Sequence, residues 1–365
     1  MRAWPAILVA ATGCSQIFGL EPPRQNDPVS DGGDGDTPNP MDGSLLVDAR
    51  SCFGNGMVKV CFQNPPSAAR VLSNANIDTG SPACAPNVQL MGADACVIAG
   101  APLEIEGTLV AHGSRPIVLV SVGGFALPAN ATIDVASHRG GTDGPGATNC
   151  AFGQSASGSG GGAGGSFGGD GGDGGPGAAG GAHGTAGPKI NPVSLRGGCA
   201  AGDGGGSPAS GGAGGGAVYV IASATLTIGG KINASGAGGT CGAADSHGGG
   251  GGGSGGMIGL DGSSVVIAPG AQVFANGGGG AEGAGTGSTG GPGDDPSNPQ
   301  NAASGGGNTN PNAGDGGDGG YGTTSAHNGF GGSSSAGGGG GGGGVGVIKL
   351  YGPVTNSGIV SPPAS

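Results

Sequence analysis

Large side chains and charges are scarce in this chain. Aromatic residues make up 3% of its 365 residues, charged residues make up 9%, and the net charge is −12. A conventional hydrophobic core that covers the whole chain is therefore not expected. Nucleic-acid binding is not expected either, because it needs clustered lysine and arginine to neutralise phosphates. The basic residues beyond position 140 are only Lys189, Arg196, Lys231 and Lys349.

The usual spacings of metal and catalytic sites are also missing. None of the eight cysteines forms a Cys-x-x-Cys pair, so we expect no metal and no cofactor. Gly-x-Ser-x-Gly occurs around Ser166 and Ser254, but no helix is expected after either serine, as a nucleophile elbow requires. The scattered histidines are expected to be solvated or to lie in turns: His112, His138, His183, His247 and His327. These patterns favour a protein that is not an enzyme.

Glycine, by contrast, is abundant in this sequence. Its 98 glycines and 26 prolines are together about a third of the chain, which is typical of low-complexity sequence. Fixing glycine costs more conformational entropy than fixing any other residue, so the tracts 140–216, 235–256 and 277–344 are expected to be mainly loose coil. Glycine at every third residue from Gly162 to Gly180 leaves an alternative, because three residues per turn is the polyproline II period. Such segments could pack side by side as a polyglycine II bundle.

Short stretches of alternating apolar residues separate the glycine tracts. Residues 224–236 give two short strands joined at a Gly-Gly corner, and residues 101–113 match them without a gap. Residues 125–135 and 265–275 repeat the pattern with a longer corner, and residues 354–360 give a shortened copy. A further apolar strand precedes the later copies, which indicates three short strands per unit.

Such a unit cannot bury its own apolar face, but stacked units create a continuous core. We therefore expect an all-β fold, a short right-handed parallel β-helix or solenoid with long glycine-rich loops. Four unrelated hairpins are the alternative. In the solenoid, one interior would be lined by Ile133, Ile228, Ile232, Ile267 and Val273.

The N-terminus has the pattern of a secretory signal. Residues 1–13 contain one basic residue, a short apolar run and small residues, and the run is too short to span a bilayer. The end of this segment resembles a bacterial lipobox, which implies lipidation of Cys14. Ser15 implies, by analogy with enterobacterial lipoproteins, sorting to the outer membrane. Ordinary secretion and a coincidental apolar start are the alternatives. Residues 14–50 are acidic and rich in proline and glycine, and we expect them to be a disordered tether.

The cysteines indicate an oxidising compartment. The disulfide candidates are Cys52, Cys61, Cys84, Cys96, Cys150, Cys199 and Cys241. Local bridges would join Cys52 to Cys61 and Cys84 to Cys96, although sequence alone does not fix connectivity. We expect residues 51–113 to be a cysteine-stapled cap with the first coil, and residues 114–361 to be the glycine-rich β-solenoid.

The longest glycine loop contains two further cysteines. A bridge between Cys150 and Cys199 would pin this loop at its base and stabilise the fold by about 4 kcal/mol in the chain-entropy model. Lipidation of Cys14 would leave an odd number of thiols, one of them unpaired.

The runs 14–20, 52–61, 113–120 and 133–140 resemble uncharacterised glycine-rich surface lipoproteins of predatory and gliding bacteria, a group often likened to PE-PGRS proteins. The resemblance covers most of residues 14–140 and, beyond them, composition. It implies a compartment and a fold, but no activity.

These observations favour a non-enzymatic, lipid-anchored protein of the outer membrane or cell surface, with a structural or adhesive role. Its partners would be the membrane, through the lipid, and an envelope polysaccharide or another surface. A carbohydrate-active β-helix enzyme is the first alternative, since Glu104 and Glu106 alternate on one strand face as paired carboxylates could. An ice-binding or surface-binding protein with flat repetitive faces is the second.

Overall fold

A computed structural model describes residues 51–82, 84, 88–92, 94–147, 153–206, 209–307, 309–333 and 335–365. They belong to the compact unit Asp48–Ser365. The expected signal segment, Cys14, the tether up to residue 50 and Cys150 lie outside the described residues. No helix in the described ranges is long and apolar enough to cross a membrane.

The described part of the chain is all-β, and its only helix is a single 3-10 turn, Ala178–Gly180. The strands are β1 (Ser51–Phe53), β2 (Lys59–Phe62), β3 (Arg70–Ser73), β4 (Asn76–Asp78), β5 (Val88–Met91), β6 (Cys96–Gly100), β7 (Leu103–Glu106), β8 (Thr108–His112), β9 (Ile117–Ser121), β10 (Phe125–Leu127), β11 (Thr132–Asp134), β12 (Ala217–Ala222), β13 (Thr225–Ile228), β14 (Lys231–Asn233), β15 (Met257–Asp261), β16 (Ser264–Ile267), β17 (Gln272–Phe274), β18 (Val347–Tyr351), β19 (Val354–Asn356) and β20 (Ile359–Ser361).

Three parallel sheets organise most of these strands. The first has the order β6-β9-β12-β15-β18, the second β10-β13-β16-β19, and the third β4-β8-β11-β14-β17-β20. From β9 onward, each unit of three consecutive strands gives one strand to each sheet. The register is kept between units, so that Ile232 lies beside Ile133 on one side and Val273 on the other. We call β3, β4 and β6–β20 together the strand stack.

The interior of the strand stack is aliphatic. Ile133, Ile228, Ile232, Ile267 and Val273 have no exposed surface and belong to one core cluster, as the sequence predicts. Burying a side chain of this size stabilises the fold by about 1.5–3 kcal/mol. The alternative of unrelated hairpins is wrong, because the strands pair in parallel with strands of neighbouring units.

The cysteine-rich segment divides into two parts. Strands β3 and β4 pair in parallel with β7 and β8 at the first end of the stack. Strands β1, β2 and β5 form a separate antiparallel sheet. Val60 of β2 and Val58, which comes just before this strand, share a second core cluster with Val118 and Tyr219 of the first sheet. This small sheet therefore covers the outer face of the first sheet rather than the end of the stack.

The glycine tracts are ordered, so the expectation of loose coil is wrong. We call the described residues of 153–216, 234–256 and 275–346 the glycine bundle. In its central tract, 337–344, successive backbone N–H groups donate in turn to three different tracts, and this order repeats every three residues. The acceptors are Ala284, Ala281 and Gly278 for Gly337, Gly340 and Gly343; Ser159, Gly162 and Gly165 for Gly338, Gly341 and Gly344; and Phe330 and His327 for Gly339 and Gly342.

The carbonyl groups of the same tract follow the same rotation. They accept from the tracts 249–255, 172–175 and 314–320, at N···O distances of 2.7–3.0 Å. Three tracts as acceptors and three as donors give the central tract six neighbours. This packing requires glycine, because a Cβ added at Gly340 would overlap the carbonyl oxygen of Gly250. The entropy cost of ordering glycine is thus opposed by hydrogen bonds on every side.

Candidate functional site

One groove of the molecule lies where two units of the strand stack separate. Its volume is about 460 Å³, and strands β7, β10 and β13 line it. Strand β7 pairs with β3, and β10 begins the second sheet, so β7 and β10 are not joined by strand pairing. Instead, Leu103 N–H donates to Ser121 Oγ (3.0 Å), which itself donates to the Gly124 carbonyl (2.7 Å). A serine hydroxyl therefore takes the place of a strand-to-strand bond.

Two carboxylates lie on the outer side of this groove. Glu104 and Glu106 are exposed and alternate with the buried Leu103 and Ile105, so both project from one face of β7. Glu106 Oε2 accepts a hydrogen bond from Ser73 Oγ (2.7 Å). The structure thus places this predicted pair in a groove. The pair could bind a cation or accept hydrogen bonds from sugar hydroxyl groups.

A histidine lies between two aspartates where the strand stack meets the segment after the glycine tract 290–293. His138 Nε2 is 3.3 Å from Asp134 Oδ2, and its Nδ1 is 3.6 Å from Asp295 Oδ2. Hydrogen bonds to Asp134 and then Asp295 outweigh burial and raise the pKa of His138 to about 10. The ring is therefore a cation at neutral pH, which suits an ion pair rather than a general base.

The partner aspartate is also fixed by backbone groups. Asp295 accepts hydrogen bonds from the N–H groups of Arg139 and Gly238. Burial alone would raise its pKa, but the bonds from His138 and from these two N–H groups lower it overall. This cluster joins β11 to the glycine bundle.

Asp261 is a buried carboxylate that sequence reasoning missed. It is 1% exposed and accepts hydrogen bonds from Asn55 N–H (2.7 Å), Gly56 N–H (2.8 Å) and the Tyr219 hydroxyl (3.0 Å). Burial and then the charge of Asp261 raise the pKa of Tyr219, which keeps the phenol protonated. The carboxylate therefore fixes the turn between β1 and β2 on the first sheet.

Glu282 has the same kind of role inside the glycine bundle. It has no exposed surface, and it accepts hydrogen bonds from Gly291 N–H (2.8 Å), Asn310 N–H (2.9 Å) and the Thr309 hydroxyl. These donors compensate the cost of burying a charge. Both buried carboxylates thus hold backbone segments in place, and neither lines the groove between β7, β10 and β13.

The cysteines have three different environments. Disulfides join Cys52 to Cys61 and Cys84 to Cys96, the two pairs that the sequence favours. Cys199 is buried and disulfide-bonded, but the predicted bridge to Cys150 stays a prediction because Cys150 lies outside the described residues. Cys241 is a free, partly buried thiol.

The two serines of the Gly-x-Ser-x-Gly matches hold backbone together. Ser166 Oγ donates to the Gly187 carbonyl and accepts from Gly171 N–H, and Ser254 Oγ accepts from Cys199 N–H. Within the described ranges, no group of three or more His, Cys, Asp or Glu side chains could hold a metal ion.

No family model, curated protein or solved structure matches this chain.

Proposed function

We propose that this chain is a non-enzymatic, lipid-anchored protein of the cell envelope with a structural or adhesive role. The apolar start and the lipobox-like sequence before Cys14 support lipidation at this residue. Acyl chains contribute about 0.8 kcal/mol per buried CH₂, so a multiply acylated cysteine would anchor the protein stably to the outer membrane or cell surface. Residues 14–50 would then be the segment of chain between the lipid-bearing residue and the folded unit.

We further propose that the strand stack is a right-handed parallel β-helix and that the glycine bundle is of the polyglycine II type. Three parallel sheets with a constant register support the helix, and parallel crossovers are almost always right-handed. The three-residue rotation of hydrogen bonds supports the polyglycine II geometry, since that helix has three residues per turn.

The observation that carries the proposed role is the six-neighbour packing of tract 337–344. A tract bonded on all sides is rigid, and its residues have no side chains with which to perform chemistry. The disulfides in the cysteine-rich segment suit an oxidising, extracytoplasmic compartment. A rigid, polar domain with few charged residues, joined to a lipid-bearing residue by a segment rich in proline and glycine, is suited to structural or adhesive work.

Fractionation of cells that express Cys14→Ala tests the anchor. We expect the variant to move from the membrane fraction to the soluble fraction, because it has lost the acylated thiol. Cys241→Ala is the matched control, since it removes the free thiol and leaves the lipobox unchanged. Membrane association of Cys14→Ala equal to that of the control would contradict the proposal.

A carbohydrate-active enzyme is the second candidate, and the groove with Glu104 and Glu106 favours it. Two carboxylates that flank a glycosidic bond could act as acid and base or as acid and nucleophile. The test is release of reducing ends from envelope polysaccharides by the full chain. Activity that is lost in both Glu104→Gln and Glu106→Gln would replace the structural proposal with this one.

A further inference from the structure

A second groove follows the edge of the glycine bundle. Tract 314–320 forms its floor, and tracts 303–307 and 327–332 flank it. Its volume is about 210 Å³, and its lining includes Asp315, Asp318, His327 and Phe330. We call it the bundle groove.

The floor of the bundle groove is an incompletely surrounded tract. Its N–H groups at Gly314, Gly317 and Gly320 donate to tract 337–343, and those at Gly316 and Gly319 donate to tract 303–306. The third set, the N–H groups of Asp315 and Asp318, has no acceptor among the described residues. The tract therefore has open donors at a three-residue spacing.

The carbonyl groups of tract 314–320 also fall into three sets, and one of these sets is open. Those of Gly314, Gly317 and Gly320 accept from tract 277–283, and those of Asp315 and Asp318 accept from Phe330 and His327. In the described part of the chain, no donor reaches the carbonyl groups of Gly316 and Gly319. One donor set and one acceptor set are thus open. Each neighbouring tract of the floor uses one set, so a further extended tract would pair with one of these two.

Other edges of the bundle are closed by carboxylates. Asp170 accepts from Lys189 N–H, Asp173 from Ala186 N–H, and Asp203 from Gly211 N–H. In the bundle groove, Asp318 Oδ1 accepts from Gly305 N–H in the same way. Asp315 is exposed, and its carboxylate has no hydrogen bond or ion pair among the described residues. One negative charge therefore faces the groove without a partner in the described part of the chain.

An exposed aromatic ring completes the groove. Phe330 is 65% exposed in a chain with few aromatic residues. A phenyl face beside carboxylates attracts the ammonium group of lysine or the guanidinium group of arginine. Their aliphatic stems can also cover the ring.

We propose that the bundle groove binds an extended, glycine-rich segment of a partner protein that carries a basic residue at every third position. Its backbone would pair with one open set of the floor, and its basic side chains would face Asp315 and Phe330. Glycine is required at the positions between them, because tracts in this bundle approach too closely for a Cβ. A second copy of this chain is a poor occupant, since its net charge of −12 opposes binding.

Fluorescence anisotropy with the full chain tests this proposal. The probe is a fluorescein-labelled peptide of repeated Gly-Gly-Lys triplets, and the comparison peptides repeat Ala-Ala-Lys and Gly-Gly-Glu. We expect binding of the first peptide alone, weakened by salt. Equal binding of the Ala-Ala-Lys peptide, or no binding of the Gly-Gly-Lys peptide, would overturn the proposal.

Substitution then locates the site. Asp315→Asn should weaken binding by about fivefold, the size expected for one exposed ion pair. Asp143→Asn is the matched control, because Asp143 is exposed and lies outside the groove. Equal affinities of the two variants would overturn the assignment of the site. Self-association of the full chain in sedimentation velocity that the Gly-Gly-Lys peptide reverses would identify a second copy as the occupant instead. The lipid anchor does not enter this test, so its result is independent of the proposed function.

Discussion

The strand stack and the glycine bundle both have a buried interior, but the groups that they bury are different. In the stack, aliphatic side chains such as Ile228 and Ile232 are removed from water. In the bundle, the buried groups are backbone amides, and tract 337–344 pairs each of them with a neighbouring tract. Apolar burial tolerates small changes of shape, whereas a hydrogen-bonded lattice with no room for a Cβ does not. Different kinds of substitution should therefore destabilise the two regions.

Truncation in the stack should produce the largest effect. Ile228→Ala removes a fully buried side chain and should lower the free energy of unfolding by about 4 kcal/mol, through lost burial and a cavity. Val354→Ala is the control, because Val354 is 44% exposed at the last unit of the stack; we expect a change within about 0.5 kcal/mol. Denaturant titration measures both, and equal losses would contradict a single shared core.

Addition of one methyl group should damage the bundle almost as much. Gly340→Ala forces a Cβ against the Gly250 carbonyl, and we expect a loss of about 3 kcal/mol from overpacking. Gly124→Ala is the control, since the nearest atom to its added Cβ is the Thr225 carbonyl oxygen at 3.4 Å, an ordinary contact. Thermal unfolding and amide hydrogen exchange compare the two variants. Unchanged protection in Gly340→Ala would mean that the bundle adapts to side chains.

The sequence predicted the stack well because its signal is local. Alternation of apolar residues marks strands directly, and the corner of two glycines keeps Ile228 and Ile232 on the same interior side. The repeated pattern then indicated that units stack. The parallel pairing of Ile133, Ile232 and Val273 follows from that repetition.

The bundle could not be predicted in the same way. The three-residue period of glycine was visible in the sequence, but entropy favoured coil, and the opposing hydrogen bonds join residues as distant as Gly165 and Gly344. Asp261 and Glu282 were missed for a related reason. Each is a single acidic residue whose partners come from other segments, and sequence spacing contains no signal for them.

Removal of a buried charge from the strand stack should have a smaller effect. Asp261 is a buried carboxylate within this mainly aliphatic region. Asp261→Asn keeps the volume but replaces one accepting oxygen with an NH₂ donor. This donor would face the Tyr219 hydroxyl or the N–H groups of Asn55 and Gly56, which are donors themselves. We expect a loss of about 2 kcal/mol in unfolding free energy. Proteolysis within β1 and β2 should also become faster. The matched control is Asp143→Asn, and equal proteolysis rates of the two variants would contradict this role.

The smallest expected effect tests the junction of the two regions. Since the pKa of His138 is raised from 6.5 to about 10, its contribution to stability is fully present below pH 6.5 and is lost as the pH rises through about 10. The ring is nearly half exposed, so solvent screening should limit this contribution to less than about 1 kcal/mol. His138→Gln should therefore flatten the decline of unfolding free energy between these pH values, whereas His183→Gln, in an exposed position of the bundle, should not. Identical pH profiles of the wild type and His138→Gln would show that the ion pairs with Asp134 and Asp295 do not couple the stack to the bundle.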